Sequence, residues 1–396
     1  MQLAKTSLGL DEVKGQWEAI GSLKILAERC MERGKKLHIC FVDYEKAFDR
    51  VDWTILMDVL KILGADWRDR RLLKSLYMNR RVLVRMDGEY SDPCIISRGN
   101  RQGCPLSALL FNLYAEELVR KALEGSMDGV LVGGKLIQAL RFADDQAMVS
   151  DTKIGLQRIM DRLVETAEEY DMKLNTKKTK VMTISRTPNS RLVIMVNKIQ
   201  LEQVKEFRYL GSVITEDNRC EKEIRIRIAM AKEAFNKKKE LLKNSLSVDL
   251  KKRMVKVFVW SVLLNGAETW CITEQDIRRI EAMEMWIWRR MLKISWVDHV
   301  SNKDVLERAE EKRQLIKIIR ERQAIWFGHV LRHDSLLRDI IEGSIKGKRQ
   351  KGRPRQATFD WMMKNNGHSY STLKEMAHSR TLWRQWCTKP AFGQRT

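Results

Sequence analysis

The sequence predicts an α+β protein in which a mixed N-terminal part precedes a helical and basic C-terminal part. Residues 35–43 (KKLHICFVD) form a buried-strand pattern, and several later segments repeat apolar residues at helical spacing. From about Glu221 onward the pattern is helical and basic, and nine of the twelve tryptophans follow residue 250. These observations predict two or three domains in the 396-residue chain.

The elements of the first part follow in order. Asp52 is a predicted N-cap, and the helix after it should end at Gly64, because glycine tolerates the left-handed conformation at a helix end. Residues 108–123 and 155–170 carry two further helical patterns. Short strands are predicted on both sides of a turn at Asn197–Lys198.

The charge of the chain predicts a polyanionic partner. The formal net charge is +22 and the pI is about 9.7, which favours nucleic acid first and an anionic membrane surface second. Seven cysteines occur singly, as in a reduced intracellular protein, so a nuclear or cytoplasmic location is expected. No signal peptide is visible, and the longest apolar run, residues 255–264, is too short for a bilayer, so no membrane partner is expected.

Residues 140–149 (LRFADDQAMV) place two carboxylates between apolar runs. The pattern predicts a β-hairpin with Asp144 and Asp145 at its tip, where a divalent cation would offset their repulsion. Taken alone, the pair is also what an ordinary polar turn contains. Asp43 ends another apolar strand, and three carboxylates from two strand ends could hold a pair of metal ions.

Five segments in order resemble the reverse transcriptases of LINE-type, non-LTR retrotransposons. They correspond to motifs A to E and are Asp-x-x-x-Ala-Phe-Asp at residues 43–49, RQGCPLSALLFNL at 101–113, FADD at 142–145, LNTKKTKVM at 174–182 and RYLGSVI at 208–214. WFGHVLRHD and KGRPRQATFDWM are similar to the C-terminal region of elements that also encode an apurinic-type endonuclease. The resemblance implies an RNA-directed DNA polymerase that uses an RNA template, a DNA primer or target, and deoxynucleoside triphosphates.

The resemblance also implies a right-hand polymerase palm, an antiparallel sheet with packed helices, followed by a helical thumb and a basic helical C-terminal extension. The expected domains are 1–36 (residual fingers and a lead-in helix), 37–218 (palm), 219–300 (thumb) and 301–396 (extension).

The same resemblance implies roles for individual residues. Asp43, Asp144 and Asp145 would hold two Mg²⁺ ions, or Mn²⁺, and Lys178 would protonate or steady the leaving pyrophosphate. At the nucleotide, the resemblance assigns the carbonyl of Tyr44, the ring of Phe48, which would exclude a 2′-hydroxyl, and the loop residues Gln102 and Gly103. The turn Tyr209-Leu210-Gly211 would grip the primer end.

The sequence departs from the family in two places. Ala108 stands where proline is usual, which suits a helix. Only about forty residues precede Asp43, and they lack the Q-x-G-F-R stretch of the fingers and any endonuclease, so we expect an N-terminally truncated member. The alternative to a working polymerase is an impaired or domesticated remnant that binds RNA or DNA without polymerising. A group II intron-type maturase is disfavoured because no maturase-like domain follows the palm.

The C-terminal part is expected to contact phosphates. The candidate residues are Lys237, Lys238, Lys239, Lys346, Lys348, Arg349, Lys351, Arg353 and Arg355. KGRPR resembles an AT-hook core, although a general basic patch is the favoured interpretation. Trp286, Trp288 and Trp296 could stack on bases, but their helical spacing favours core packing. His329 and His333 lack accompanying cysteine pairs, so we expect no zinc site there.

Overall fold

The computed structural model describes residues 12–78, 80–101, 103–187, 190–243, 246–348, 355 and 357–387. The chain divides into two compact units. The first comprises Met1–Leu23, Arg29–Leu210 and Gly343–Gln350, and the second comprises Lys24–Glu28, Gly211–Glu342 and Lys351–Thr396, each within the described ranges. The predicted mixture of α and β elements, with a helical C-terminal region, is confirmed.

The first unit contains both strands and helices. Its strands are β1 (Leu37–Val42), β2 (Arg80–Val82), β3 (Arg85–Met86), β4 (Glu89–Tyr90), β5 (Cys94–Ile96), β6 (Val130–Val132), β7 (Lys135–Ile137), β8 (Ala139–Phe142), β9 (Asp145–Ser150), β10 (Lys180–Ile184), β11 (Met195–Val196), β12 (Ile199–Gln200), β13 (Glu202–Gln203) and β14 (Glu206–Tyr209). Its helices are α1 (Glu12–Glu32), which also contributes residues 24–28 to the second unit, α2 (Trp53–Ile62), α3 (Trp67–Tyr77), α4 (Pro105–Leu123) and α5 (Lys153–Glu169).

Five strands form the main sheet in the order β13-β10-β1-β9-β8. The central strand β1 is antiparallel to both neighbours, with Val42 opposite Gln146 of β9 and Phe41 opposite Lys180 of β10. All six β1 residues are buried, since α5 packs on one face while Phe41 stacks on Phe207 with ring centroids 4.1 Å apart. Burial of both faces explains why β1 is apolar without alternation except at His38, whose ring is buried and hydrogen-bonded to Thr183 Oγ1.

The predicted local signals of the first unit are confirmed. The Asp52 carboxylate caps α2 by accepting hydrogen bonds from the backbone N–H groups of Thr54 and Ile55. Between the paired strands β11 and β12, Asn197 and Lys198 have φ values of 49° and 63°, which is the left-handed turn expected there. Helices α4 and α5 pack against each other in the core of the unit.

The second unit is mainly helical. Its elements are β15 (Ser212–Thr215), α6 (Glu221–Lys237), α7 (Lys239–Lys243), α8 (Val248–Val255), α9 (Ser261–Leu263), α10 (Glu274–Met291), α11 (Asn302–Ala309), α12 (Leu315–Arg332), α13 (Leu336–Glu342), α14 (Asp360–Asn366), α15 (Tyr370–His378) and α16 (Arg380–Cys387). A π-helical turn over Lys256–Trp260 joins α8 to α9. Throughout the described chain, no helix has the length and apolar content needed to cross a membrane.

Tryptophans fill much of the core of this unit. Trp288 is fully buried and meets Trp260 edge to face, with centroids 5.9 Å apart. Trp286 is partly buried against the same cluster, 5.3 Å from the ring of Phe235. The preference for core packing over base stacking is thus confirmed for Trp288, while the side chain of Trp296 lies outside the described residues.

Close helix packing explains why the WFGHVLRHD segment has a glycine at position 328. Gly328 lies inside α12, and a Cβ atom built there would overlap the indole ring of Trp383 from α16. That indole donates a hydrogen bond of 3.0 Å to the carbonyl of Ala324, one turn earlier in α12. The two helices can approach this closely only because residue 328 has no side chain.

A buried glutamate of α10 accepts hydrogen bonds from the backbone at the start of α12. Glu284 of α10 is completely buried and accepts hydrogen bonds from the backbone N–H groups of Gln314, at 2.8 Å, and Leu315, at 3.4 Å. Burial raises the pKa of Glu284 from 4.5 to about 7, while these amides and Arg313 oppose the rise and Glu281 adds to it. The carboxylate satisfies amides that have no partner within the helix.

This shift predicts a pH-dependent stability. Between about pH 4.5 and 7 folded Glu284 keeps a proton that the unfolded chain has lost, so the free energy of unfolding should fall as pH rises. The slope is at most about 1.4 kcal/mol per pH unit. Urea unfolding at pH 5, 6, 7 and 8 should show that Glu284→Gln removes this component and that Glu281→Gln, the control, retains most of it, since burial is the main cause of the shift. Equal pH dependence in wild type and Glu284→Gln would contradict the assignment.

Candidate active site

The predicted hairpin tip is present. Phe142 of β8 pairs with Asp145 of β9, which leaves Ala143 and Asp144 as a two-residue turn. Ala143 has a φ of 53°, in the left-handed region that residues with a Cβ atom rarely adopt. Such strain is retained where surrounding structure over-determines a turn, and it commonly marks functional sites.

Asp43 lies at the neighbouring strand end. Since Val42 pairs with Gln146, the next residues in the antiparallel register are Asp43 and Asp145. The backbone of Asp43 is fixed by residues of the fourth motif, because its carbonyl accepts from the Asn175 N–H at 2.8 Å and its own N–H donates to Thr179 Oγ1 at 3.2 Å. The structure therefore brings together two strand ends that are a hundred residues apart in sequence.

The carboxylates influence one another electrostatically. Loss of hydration and the neighbouring charges of Asp144 and Asp43 raise the pKa of Asp145 to about 6. The pKa of Asp43 is also raised, chiefly by desolvation; Lys178 opposes the rise and Asp144 adds to it. Lys178 is 71% exposed, and its Nζ lies 3.9 Å from Asp43 Oδ2. The site thus concentrates negative charge, which Lys178 partly offsets.

These side chains fit a hard divalent cation. Asp43 Oδ2 is buried and accepts no hydrogen bond from the described chain, so an acceptor remains unused beside two other carboxylates. The described residues contain no group of three or more His, Cys, Asp and Glu side chains that could hold a metal ion unaided. Mg²⁺ commonly takes one or two carboxylates and completes its shell with phosphate oxygens and water, which suits an open site of this kind.

The aromatic residues predicted at the nucleotide have different environments. Phe48 is 39% exposed and stacks on the buried ring of Phe111, with centroids 4.4 Å apart. Tyr44 is buried, and its hydroxyl donates to Gln146 Oε1 at 3.2 Å, so its side chain supports β9. Gly103 is exposed with a φ of 78°, which favours glycine, whereas Gln102 lies outside the described residues.

The third predicted group lies at the end of β14. Tyr209 is only 1% exposed, its ring centroid is 5.6 Å from that of Phe41, and its hydroxyl donates to the carbonyl of Leu140 at 3.3 Å. The Tyr209 side chain therefore supports β8 from inside the unit. Leu210 and Gly211 have φ values of 48° and 74°. A contact of this turn with a primer end stays a prediction, and it would have to use groups other than the buried ring.

The basic candidates differ in how far their charges are already used. Lys237 is 2.7 Å from Glu233 Oε1, whereas Lys238 lies over the Phe258 ring at 5.4 Å and Lys239 is exposed. Arg355 donates to the carbonyl of Asp217. Lys346 and Lys348 are exposed, and Arg349, Lys351 and Arg353 lie outside the described residues.

Several residues that shape the site are not identified by the sequence motifs. Asn175 holds the Asp43 carbonyl through its backbone, and its side chain lowers the pKa of Asp43. Gln146 is buried and receives the Tyr44 hydroxyl, while Arg141 makes a 2.7 Å ion pair with Glu116. Asn175 could have been noticed as the polar turn residue of the LNTKKTKVM motif. The other two contacts are non-local and leave no local pattern.

Clustered carboxylates at adjoining strand ends are typical of enzymes that transfer phosphoryl groups with metal ions. A family comparison specifies the class further. Residues 1–214 match the model described as reverse transcriptase (RNA-dependent DNA polymerase), which is just over half of the chain. The chain belongs to the reverse transcriptase family, and this part is an RNA-directed DNA polymerase domain.

Curated relatives come from retrotransposable elements. The chain is 28% identical over 194 residues to the Pol polyprotein of element R2DM from Drosophila melanogaster, covering 47% of this chain and 18% of the relative. It is 23% identical over 303 residues to the RNA-directed DNA polymerase of mobile element jockey from Drosophila funebris, covering 74% of this chain and 32% of the relative. A Xenopus laevis transposon TX1 protein is 32% identical over 131 residues, covering 32% and 10%. The chain therefore spans less than a third of these relatives.

Among solved structures, the chain is similar to apo telomerase from Candida tropicalis, with 14% identity and a TM-score of 0.39, over 83% of this chain and 57% of that one. For telomerase from Candida albicans in complex with a fragment of telomeric RNA, the identity is 13% and the TM-score is 0.37. This match covers 76% of this chain and 50% of that one.

Proposed function

We propose that this chain carries out RNA-directed DNA synthesis for a non-LTR retrotransposon. The observation that carries the proposal is the meeting of Asp43 with the Asp144–Asp145 turn inside a domain of the reverse transcriptase family. In the reaction, a primer 3′-hydroxyl attacks the α-phosphate of a deoxynucleotide, a new phosphodiester bond forms, and pyrophosphate leaves. Similarity to R2, jockey and TX1 proteins supports the retrotransposon context. We propose in addition that synthesis is primed at a nicked target DNA.

The aspartates would act as ligands. Asp43, Asp144 and Asp145 would hold two Mg²⁺ ions, or Mn²⁺, which when bound stabilise the charge that develops on the attacking and leaving oxygens. The raised pKa of Asp145, to about 6, and the unused Asp43 acceptor support a site whose free carboxylates repel one another. The strained Ala143 turn keeps Asp144 and Asp145 at the strand end.

Two other residues complete the proposed chemistry. Lys178, near Asp43 and largely exposed, is free to reach the leaving pyrophosphate, where its ammonium would donate a proton or offset charge. Phe48 would lie under the sugar of the incoming nucleotide, and its stacking on Phe111 would keep the ring from yielding to a 2′-hydroxyl. The chain would therefore prefer deoxynucleotides.

We further propose that the sheet unit is the palm of a right-hand polymerase and that the helices after Glu221 form the thumb and a basic extension. Lys238, Lys239, Lys251 and Arg253 support this, because none has an ion-pair partner within the described chain, unlike Lys237. Exposed Val257 and Phe258 lie in the neighbouring π-helical turn. Free cations beside apolar side chains suit the backbone of a nucleic-acid duplex.

This surface yields a quantitative prediction. The double variant Lys238→Ala/Lys239→Ala should weaken binding to an RNA–DNA duplex. The slope of log K against log salt is negative, and its magnitude should fall by up to about 2, roughly 0.9 per lost phosphate contact. Fluorescence anisotropy from about 50 to 200 mM salt measures it. Lys237→Ala is the control and should change the slope less, since its charge is already offset. An unchanged slope in the double variant would remove these lysines from the interface.

The proposed function is tested by primer extension. The full chain is incubated with poly(rA)/oligo(dT), dTTP and Mg²⁺, beside an Asp144→Ala/Asp145→Ala variant. Extension by the wild type alone is the expected result. If neither extends the primer while both bind the duplex in a salt-sensitive way, the alternative holds: a retroelement remnant that binds nucleic acid without polymerising.

A further inference from the structure

Asp171 joins two arginines at the end of α5. Arg50 donates from Nε to the Asp171 carbonyl at 2.9 Å and from an Nη to its Oδ1 at 3.2 Å. Arg98 donates to Oδ2 of the same carboxylate at 2.7 Å. Asp171 has a φ of 47°, so its backbone is turned into the left-handed region at this junction. One carboxylate thus links segments that lie 48 residues apart in sequence.

The two arginines belong to two paired segments, Arg50 to residues 48–53 and Arg98 to residues 98–100. The Gly99 N–H donates to the Val51 carbonyl and the Asn100 N–H to the Phe48 carbonyl, each at 2.8 Å. The indole of Trp53 donates to the Gly99 carbonyl, also at 2.8 Å. A Cβ atom on Gly99 would lie 3.0 Å from the Asp49 carbonyl oxygen, so the backbones of the two segments are in close contact. These contacts tie residues 48–53 to residues 98–100.

Phe48 belongs to the first of these segments. Its carbonyl is held by Asn100, and its ring rests on Phe111 at 4.4 Å. The Asn100 amide group in turn donates to the Ser107 carbonyl at the start of α4. A displacement of residues 48–53 by a fraction of an ångström would shift the Phe48 ring. The ring on which it stacks, Phe111, belongs to α4 and lies in the core of the unit.

We infer that Asp171 is a positioning residue that sets sugar selection by holding Phe48 in place through Arg50 and Arg98. The inference rests on the proposed function, in which Phe48 excludes a 2′-hydroxyl. Asp171 contacts neither nucleotide nor metal in this scheme. Surface ion pairs contribute little to overall stability, and these side chains are partly exposed (28% for Arg50, 39% for Asp171 and 52% for Arg98), so loss of the carboxylate should loosen these segments without unfolding the unit. Small misplacements at a reacting centre have large effects on rate.

The test compares dUTP with UTP, which differ only in the 2′-hydroxyl, as single additions to oligo(dT) on poly(rA). The measured quantity is the ratio of kcat/KM for dUTP to kcat/KM for UTP. Asp171→Gly removes the carboxylate and suits the positive φ, and Asp171→Asn keeps an acceptor. We expect Asp171→Gly to lower the ratio about tenfold, mainly through faster use of UTP, and Asp171→Asn to lower it less. Phe48→Ala should lower it further.

Arg158→Ala is the matched control, since Arg158 makes two hydrogen bonds to the carboxylate of Asp128, near the other end of α5. It should leave the ratio unchanged, while Arg98→Ala should lower it. If Asp171→Gly and Arg158→Ala both keep the wild-type ratio while Phe48→Ala lowers it, the inference is overturned and the proposed function stands. If wild type incorporates neither nucleotide, the proposed function fails and the inference fails with it.

Discussion

Replacement of Asp144 by asparagine is expected to lower the rate of primer extension about 10³-fold. Asparagine has nearly the same shape but no charge, so the fold should persist while the anionic site loses a ligand. Removal of one preorganised electrostatic group from an active site commonly costs 10²–10³ in rate, and loss of a metal ligand belongs at the upper end. Asp43→Asn should behave alike, because Asp43 lies at the adjoining strand end.

Two measurements check this result. Single-nucleotide extension gives the rate, and electron paramagnetic resonance of Mn²⁺ in the presence of duplex and nucleotide gives metal affinity separately from turnover. Asp161→Asn is the control, since Asp161 is an exposed residue of α5 that contacts Gln157. Near wild-type rates and Mn²⁺ affinity in Asp144→Asn and Asp43→Asn would show that these carboxylates do not hold the metals.

The second large effect concerns stability. Gly328→Ala is expected to destabilise the helical unit by about 3 kcal/mol, because a methyl group there overlaps the Trp383 indole and would displace it from the Ala324 carbonyl. Helix propensity alone predicts the opposite sign, a gain of up to about 1 kcal/mol. The sign of the change in urea-induced unfolding therefore decides between close packing and propensity.

A double-mutant cycle identifies the cause. In a Trp383→Ala background the added methyl group has room, so Gly328→Ala should cost much less than it does alone. Equal costs in both backgrounds would mean that the clash with Trp383 is not the source of the destabilisation.

The sequence predicts the parts of this site that local patterns encode. The Asp144–Asp145 hairpin, the Asp52 cap and the Asn197–Lys198 turn each follow from residues within a few positions of one another. The helical pattern after Glu221 is present as α6, in which Ile224, Ala231 and Phe235 are buried and Ile228 is partly buried. Propensity and periodicity act over this range.

Non-local contacts were not predictable from patterns. The pairing of β1 with β9 brings together residues about a hundred positions apart in sequence. Only the order of the family's motifs suggested that these two strands are neighbours. The burial of Tyr209 depends on packing against Phe41, and a tyrosine in a strand is equally compatible with exposure. The link from Asp171 to Arg50 and Arg98 spans 121 and 73 residues and depends on loop geometry. Tertiary structure alone determines such contacts.

The most direct test is extension of a labelled DNA primer by the full chain on an RNA template of defined mixed sequence, with Mg²⁺ and chosen deoxynucleotides. With all four, we predict a product complementary to the RNA; without dCTP, synthesis should stop immediately before the first template G. A template-dependent arrest of this kind establishes RNA-directed DNA synthesis. Retained duplex binding with no extension, or addition that ignores the template, would contradict it.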